Sequence, residues 1–276
     1  DIYGLTPLHV VCNSDDINKE LICLLLENGA DINCVTNNGA SLLHLVCSNG
    51  MNKDIIELLL NKGININISN CNHENVLYLI CNGFDPDIEL IKLLLKSAVK
   101  RYPCDVDINL KSKYGDAPIH LIADCKNKKE ILSVLSEYGV NLDNDNYNGD
   151  TILHLECKKE KFSEDIIKLL VKNGINLNKR NNVHCTALYY ICDNLGRCKH
   201  RNLRLFGKID LDHNKYIMNM INYFLENGMI LNDRYLMYNY ESYRKCVLDF
   251  KIRLKKEVNN SVFVIDDILN IICDYI

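Results

Sequence analysis

A four-residue pattern recurs along the chain about every 34 residues. Its fourth residues lie at positions 9, 44, 78, 120, 154 and 189, so four of the five intervals are 34 or 35 residues and the other is 42. The copies are Thr6-Pro7-Leu8-His9, Ser41-Leu42-Leu43-His44, Asn75-Val76-Leu77-Tyr78, Ala117-Pro118-Ile119-His120, Thr151-Ile152-Leu153-His154 and Thr186-Ala187-Leu188-Tyr189. A repeat of this length predicts a stack of similar units, each too small to bury its apolar face alone.

A second marker accompanies most copies: an apolar run, then a glycine, then residues rich in asparagine. The glycines are Gly29, Gly63, Gly139, Gly174 and Gly228. Thr or Ser before a helix accepts a hydrogen bond from a free backbone N–H, and Pro fits the first helical position. Glycine adopts the left-handed conformation that ends a helix. Each unit is therefore predicted to be helix, turn, helix and hairpin.

These two markers resemble the ankyrin repeat. The resemblance covers residues 1–232 in about six units and implies an all-α fold, an ankyrin-repeat solenoid. Two insertions depart from the pattern, at 96–106 and 195–215, and we expect both to form loops on one face. The chain begins with Asp1, as expected of a piece of a longer polypeptide.

Composition and motifs exclude several functions. The net charge of −4, from 32 basic and 36 acidic residues, does not favour nucleic acid as a partner. No apolar run approaches the roughly 20 residues that cross a bilayer, so no membrane association is predicted. A glycine-rich phosphate loop, a Gly-x-Ser-x-Gly elbow and a His-Glu-x-x-His motif are all missing. We therefore predict no catalytic residues, no cofactor and no enzyme activity.

Five of the 14 cysteines lie three residues after the pattern. At this position the first helix packs closely on its neighbour, so we expect small, buried, reduced thiols. They are Cys12, Cys47, Cys81, Cys157 and Cys192. In the ankyrin resemblance, the pattern histidines His9, His44, His120 and His154 form hydrogen bonds between units.

The most metal-like group of residues is His184, Cys185, Cys192, Cys198 and His200. Zinc sites space paired ligands two to four residues apart and converge on a tetrahedron. Cys192 already belongs to the packing position, and the remaining gaps fit no common pattern. We predict no metal site, and a zinc or thiol enzyme here is kept as a third hypothesis.

The hairpin tips are the predicted partner-binding surface, because loops on a rigid stack carry function. Tyr and Arg dominate binding hot spots, which favours Tyr114, Tyr147 and Arg180. The alternative is that each is only a solvated turn residue. The full predicted set is Asn37, Asn38, Asn70, Lys113, Tyr114, Asn146, Tyr147 and Arg180.

Residues 233–276 are predicted to form a helical C-terminal cap. Within them, 262–276 carries apolar residues at helical spacing and resembles a truncated F-box, with Ile265 where that family has Pro. The resemblance implies ligase binding by Ile265, Ile268, Leu269, Ile272, Tyr275 and Ile276.

Ankyrin repeats followed by such a segment resemble the poxvirus ankyrin host-range proteins with a C-terminal F-box-like (PRANC) segment. The resemblance implies a monomeric adaptor in the host cytoplasm, with the nucleus as a second location. Its repeats would hold a host protein, and its tail would dock on the Skp subunit of a cullin-RING ubiquitin ligase. The alternative is a scaffold that sequesters a host signalling or antiviral protein without recruiting a ligase.

Overall fold

The computed structural model describes residues 2–101, 106–191, 219–221, 223, 224 and 226–229. It divides into two compact units, Asp1–Tyr147 and Asn148–Ile276. Several predictions concern residues outside the described ones. These are Cys192, Cys198, His200, the insertion at 195–215 and the cap at 233–276.

The first unit contains four pairs of helices, which we number repeats 1 to 4. The pairs are α1 (Pro7–Cys12) with α2 (Lys19–Glu27), α3 (Leu42–Ser48) with α4 (Lys53–Asn61), α5 (Val76–Cys81) with α6 (Ile88–Arg101), and α7 (Pro118–Leu121) with α8 (Lys128–Glu137). A short 3-10 turn, Ile122–Asp124, follows α7. The first helices contact one another in the order α1, α3, α5, α7, and the second helices in the order α4, α6, α8.

The second unit repeats the arrangement with α9 (Ile152–Cys157) and α10 (Glu164–Lys172), followed by helical residues 187–191. Apart from one isolated bridge between Val35 and Ser41, the regular elements among the described residues are helical. No helix in the described part of the chain combines the length and apolar character needed to span a bilayer.

The helices begin and end where the sequence predicts. Thr6 and Asn75 are N-caps of first helices, and the Asn75 side chain accepts a hydrogen bond from the Tyr78 N–H at 2.9 Å. Asn18 and Asn52 cap second helices in the same way. Gly63 follows α4 with φ of 90°, a conformation that non-glycine residues rarely adopt.

Apolar side chains of the first helices fill the core. Leu43, Leu77 and Ile119 are fully buried at equivalent positions in successive repeats. Cys12, Cys47, Cys81 and Cys157 are free thiols and are also buried. Burial raises the pKa of Cys12 and of Cys47 to about 12. The packing prediction is therefore confirmed for these four cysteines, and the raised pKa keeps Cys12 and Cys47 as neutral thiols.

Buried histidines link adjacent repeats. In His44, Nδ1 accepts the Ser41 backbone N–H at 3.2 Å. Because a backbone N–H can only donate, Nδ1 carries no proton, and Nε2 donates to the Glu74 carbonyl of the next hairpin at 2.8 Å. His120 and His154 make the equivalent bonds to the Asn144 and Cys185 carbonyls, at 3.0 and 3.1 Å. The expected hydrogen bonding between adjacent repeats is present at these three histidines.

The hairpin tips are joined by main-chain hydrogen bonds. In four tips one backbone N–H donates to a carbonyl of the preceding tip. The pairs are Asn37 to Tyr3 at 3.0 Å, Cys71 to Asn38 at 2.8 Å and Lys113 to Asn72 at 2.7 Å in the first unit, and Asn182 to Asn148 at 2.9 Å in the second. Each of these four tips is therefore held by the tip before it.

A ladder of asparagine side chains runs beside the tips of the first unit. Asn33 Oδ1 accepts the Asn65 N–H at 2.7 Å. The same bond joins Asn67 to the Asp107 N–H at 3.0 Å and Asn109 to the Asn141 N–H at 2.8 Å. The sequence shows only that residues rich in asparagine follow the glycines, and the bonds of these asparagines between repeats are a finding of the structure.

The first insertion differs from the prediction. We expected 96–106 to be a loop, but α6 continues through Arg101, so its first part is helical. The segment Lys96–Arg101 contains no proline or glycine, and nothing in it stops a helix that the preceding leucines have already started.

We expect the chain to lose stability as the pH falls below about 6.5. Burial lowers the pKa of His9, His44, His120 and His154 from that ordinary value. The unfolded chain then binds more protons than the folded one, so stability is complete above about pH 6.5 and declines below it. Urea unfolding midpoints at about pH 7.5 and about pH 5.5 measure the effect.

His44→Gln, which cannot take up a proton in this range, should show a smaller difference between the two pH values than the unaltered chain. A midpoint that stays constant or rises on acidification would contradict the role given to these histidines.

We also expect Gly115→Ala to destabilise the chain more than Gly139→Ala. Both glycines have positive φ, 84° and 79°, so each alanine carries a strain of about 1–2 kcal/mol. Only at Gly115 would the new Cβ meet the next tip, at 2.7 Å from the Tyr147 backbone N, whereas nothing lies within 4 Å at Gly139. Equal losses of unfolding free energy in the two variants would show that the tips are not in close contact.

Candidate functional site

The tips of repeat 4 and of the next hairpin present aromatic and basic side chains. Tyr114 is 58% exposed and Tyr147 is 66% exposed. The ammonium group of the exposed Lys113 lies 5.0 Å from the Tyr114 ring centroid, within cation–π range. We call Lys113, Tyr114 and Tyr147 the tip patch.

Close packing of the turns brings the members of the tip patch together. A Cβ on Gly115 would lie 2.5 Å from Tyr147 Cγ, so the Tyr147 ring lies directly against the glycine that follows Tyr114. Lys111 contributes no free charge next to the patch, because its ammonium group binds Asp145 at 2.6 Å. The patch therefore combines two exposed rings with one cation, and the main chain of Lys113 is bonded to the preceding tip.

Four other predicted residues in this unit have different surroundings. Asn37 and Asn38 are exposed, and the Asn37 amide also donates to the Ile2 carbonyl at 2.9 Å. Asn70 is half-buried: its carbonyl accepts the Asn72 and Glu74 N–H groups, and its amide donates to Glu74 at 2.7 Å. Asn146 is also half-buried and donates to Asp116 at 3.2 Å. Asn70 and Asn146 thus stabilise turns, which leaves them less able to contact a partner.

In the second unit, Arg180 is exposed but partly engaged, since its Nη1 donates to the His184 carbonyl at 3.0 Å. Val183, in the same unit, is 61% exposed and was missed by the sequence analysis. It occupies the turn position that Tyr114 holds in repeat 4, and Tyr3 holds that position in repeat 1. Comparing the same position from repeat to repeat, rather than looking for Tyr and Arg, could have identified both Tyr3 and Val183.

A buried polar network supports the tip of the second unit. Asp150 is buried and pairs with Lys158, whose ammonium group lies 4.7 Å from the Tyr190 ring centroid. Asn181 donates to Asp150 at 2.8 Å, from within the next turn. This network links the start of α9 to the following hairpin and stabilises the fold there.

Glu156, also buried, serves α10. Its carboxylate accepts the Ser163 N–H at 2.7 Å and pairs with Lys159 at 3.1 Å. The backbone N–H groups at a helix start need acceptors, and a carboxylate is favoured there by the helix dipole. Glu156 therefore stabilises the start of α10.

The residues of the zinc hypothesis are only partly described. Cys185 is buried, and its thiol lies 3.6 Å from the Val183 carbonyl oxygen. Within the described residues, no three His, Cys, Asp or Glu side chains are grouped as metal ligands. Cys192, Cys198 and His200 lie outside those residues, as do all six predicted ligase-binding residues, Ile265, Ile268, Leu269, Ile272, Tyr275 and Ile276.

Comparison with curated proteins finds a viral relative over part of the chain. Two proteins of variola virus, both named Ankyrin repeat protein OPG189, are 32% identical to it over 104 residues. This match covers 37% of the chain and 16% of each viral protein. The chain therefore matches only a small part of these relatives.

Solved structures share the fold. The ankyrin repeat domain of Bcl-3, described as a unique member of the IkappaB protein family, has a TM-score of 0.61 at 19% identity, over 83% of this chain and 88% of that one. The ankyrin repeat protein EF0377 has a TM-score of 0.58 at 21% identity, over 72% of this chain and 97% of that one. The predicted all-α ankyrin solenoid is thereby confirmed.

A family model described as "Ankyrin repeats (3 copies)" matches residues 8–101, 79–181 and 125–203. Together these matches span 8–203, which is well over half of the chain. The same segment contains the capped short helices, the histidine bonds between repeats and the linked hairpin tips. The chain belongs to the ankyrin repeat family.

Proposed function

We propose that this chain is a non-enzymatic adaptor whose repeats hold a host protein through the tip patch and the neighbouring tips. Ankyrin repeats form protein–protein interaction domains, and this family is typically a binding scaffold without catalysis. The observation that carries the proposal is the exposure of Tyr114 and Tyr147. The Tyr114 tip is bonded through the Lys113 N–H to the tip before it, and the Tyr147 ring lies against Gly115 of that same tip.

The physical advantage of this arrangement is a low ordering cost. Binding orders side chains and loops, and each immobilised side chain costs about 0.5–1.5 kcal/mol. The turn that carries Lys113 and Tyr114 is already bonded to the preceding tip, and a tyrosine has few rotatable bonds for its large contact area. Lys113 adds a positive charge, which favours a partner surface with acidic groups beside an apolar one.

We expect the double variant Tyr114→Ala, Tyr147→Ala to weaken partner binding by about 2 kcal/mol or more, roughly 30-fold, because exposed tyrosines often become buried hot spots. The matched control is Phe84→Ala, which removes an aromatic side chain that is 77% exposed outside the hairpin tips. The partner is first identified by affinity purification from host cells and mass spectrometry, and its dissociation constant is then measured for each variant.

Unchanged affinity in the tyrosine variant, or an equal loss in the Phe84 control, would exclude the tip patch as the binding site. Circular dichroism of both variants checks that the repeats still fold.

The second part of the proposal assigns ligase recruitment to residues 262–276, through docking on the Skp subunit. The spacing of Ile268, Leu269 and Ile272 supports it, since this spacing predicts a helix with all three residues on one face. The similarity to an ankyrin repeat protein of variola virus supports a viral role in the host cytoplasm, with the nucleus as a second location. Two binding surfaces on one chain would raise the effective concentration of target near ligase, with no chemistry in the adaptor.

We expect Skp and cullin to co-purify with the chain from host cells and to be lost in the double variant Leu269→Asp, Ile272→Asp, because two charges on an apolar docking face are costly to bury. Asn270→Ala, between them, is the control and should retain both. The repeat-bound partner should co-purify with the unaltered chain, with the double variant and with the Asn270→Ala control.

If the unaltered chain retains the repeat-bound partner but neither Skp nor cullin, the adaptor proposal fails and the sequestering scaffold takes its place.

A further inference from the structure

Repeat 1 exposes apolar positions that the other repeats of the first unit bury. Leu21 on α2 is 39% exposed. Leu21 lies four residues before Leu25, and the residues four before the equivalent Leu59, Leu94 and Leu135 are Ile55, Leu90 and Ile131, with exposures of 3%, 0% and 0%. The side chains are alike, so the difference lies in what covers them.

Neighbouring positions in repeat 1 show the same difference. Leu25 is half-buried, whereas its equivalents Leu59 and Leu94 are fully buried. Val10 on α1 and Leu24 on α2 are 58% and 55% exposed, whereas the residues at the same positions in repeats 2 and 3 are half-buried. We call Val10, Leu21, Leu24 and Leu25 the open face.

The position of the open face follows from the stack. Repeats 1 and 2 are both followed by another repeat, and within the described residues repeat 2 is also covered by the repeat before it. The additional burial of Ile55 relative to Leu21 therefore comes from the preceding repeat. The open face is the side of repeat 1 on which such a neighbour would pack.

A polar group independently marks the same side. In repeats 2, 3 and 4 of the asparagine ladder, the N–H of Asn65, Asp107 or Asn141 donates to an asparagine side chain of the repeat before it. Asp31 holds this donor position in repeat 1. Its N–H makes no hydrogen bond to any described residue, although its side chain accepts the Asn33 N–H at 2.9 Å as in the other repeats.

We infer that the open face is a docking surface for a further ankyrin repeat, one that presents an apolar helix pair to Leu21 and Leu25 and an asparagine side chain to the Asp31 N–H. The surface continues the interface already formed between repeats 1 and 2, 2 and 3, and 3 and 4, with the same residue types at the same positions. The added repeat would extend the row of tips past Tyr3, which is 66% exposed.

A second copy of this chain fits the open face less well. A two-fold dimer through this face would bring one open face against another. The ladder acceptor of repeat 1, Asn33 Oδ1, already accepts the Asn65 N–H, so it is not offered to the Asp31 N–H of a second copy. An apolar helix from an unrelated protein could cover the leucines but would not by itself supply the asparagine acceptor.

The test fuses one ankyrin repeat of consensus sequence directly upstream of Ile2, with Asn at the position equivalent to Asn33. The fused chain should have a higher urea unfolding midpoint than the chain alone, because apolar surface is buried and the last ladder bond forms. Leu21→Lys should hardly change the chain alone but should remove most of the gain in the fusion. Ile55→Lys, at the same position in repeat 2, should destabilise both.

A second readout is amide hydrogen exchange at Asp31. The Asp31 N–H should become protected in the fusion and should lose that protection when the ladder asparagine of the added repeat is changed to alanine. No rise in midpoint, a rise that survives Leu21→Lys, or an Asp31 N–H that stays unprotected would each overturn the inference. So would self-association of the unfused chain in sedimentation experiments that Leu21→Lys abolishes, because a second copy would then be the occupant.

Discussion

Burial of the apolar faces of successive repeats against each other is the interaction on which this structure depends. The first helices are very short: α1, α5 and α9 each have six residues. Isolated helices of fewer than about 12 residues are marginal in water, so these helices exist because their neighbours cover them. Leu43 and Leu77, both fully buried, show how complete that cover is in the middle of the first unit.

Apolar burial does not by itself fix how one repeat is aligned on the next. The polar groups fix that alignment. A buried histidine needs partners for both ring nitrogens, and His44 finds one at the start of its own helix and the other in the next hairpin. The asparagine ladder and the bonds between tips add further links at fixed positions. A repeat that slipped along its neighbour would leave several of these groups buried without a partner, at about 1–3 kcal/mol each. The register of the stack is therefore set by hydrogen bonds, and its stability by apolar contact.

The features that could be predicted from sequence are those set by local chemistry or by the repeat itself. Thr6 and Asn75 cap helices because of their side chains, and Cys12 and Cys81 are buried because their position recurs. The exposure of a turn residue was harder to predict, because it depends on the next repeat. Asn70 and Asn146 proved to be half-buried turn residues, and Val183 was overlooked. The pair of Asp150 and Lys158 was also missed, since sequence alone does not show that the two side chains meet beside the ring of Tyr190.

This division of roles suits a binding module. The groups that stabilise the stack lie inside the repeats or between them, so side chains on the outer side of the tips can vary without loss of the fold.

The central claim is that each tip is held by the one before it. Amide hydrogen exchange within one turn tests it most directly, because the Asn37 N–H donates to the Tyr3 carbonyl while the N–H of Asn38 makes no hydrogen bond to a described residue. Strong protection of Asn37, Cys71 and Lys113 beside fast exchange of Asn38 is the predicted result, and equally fast exchange at all four would show that the tips are not held by their neighbours.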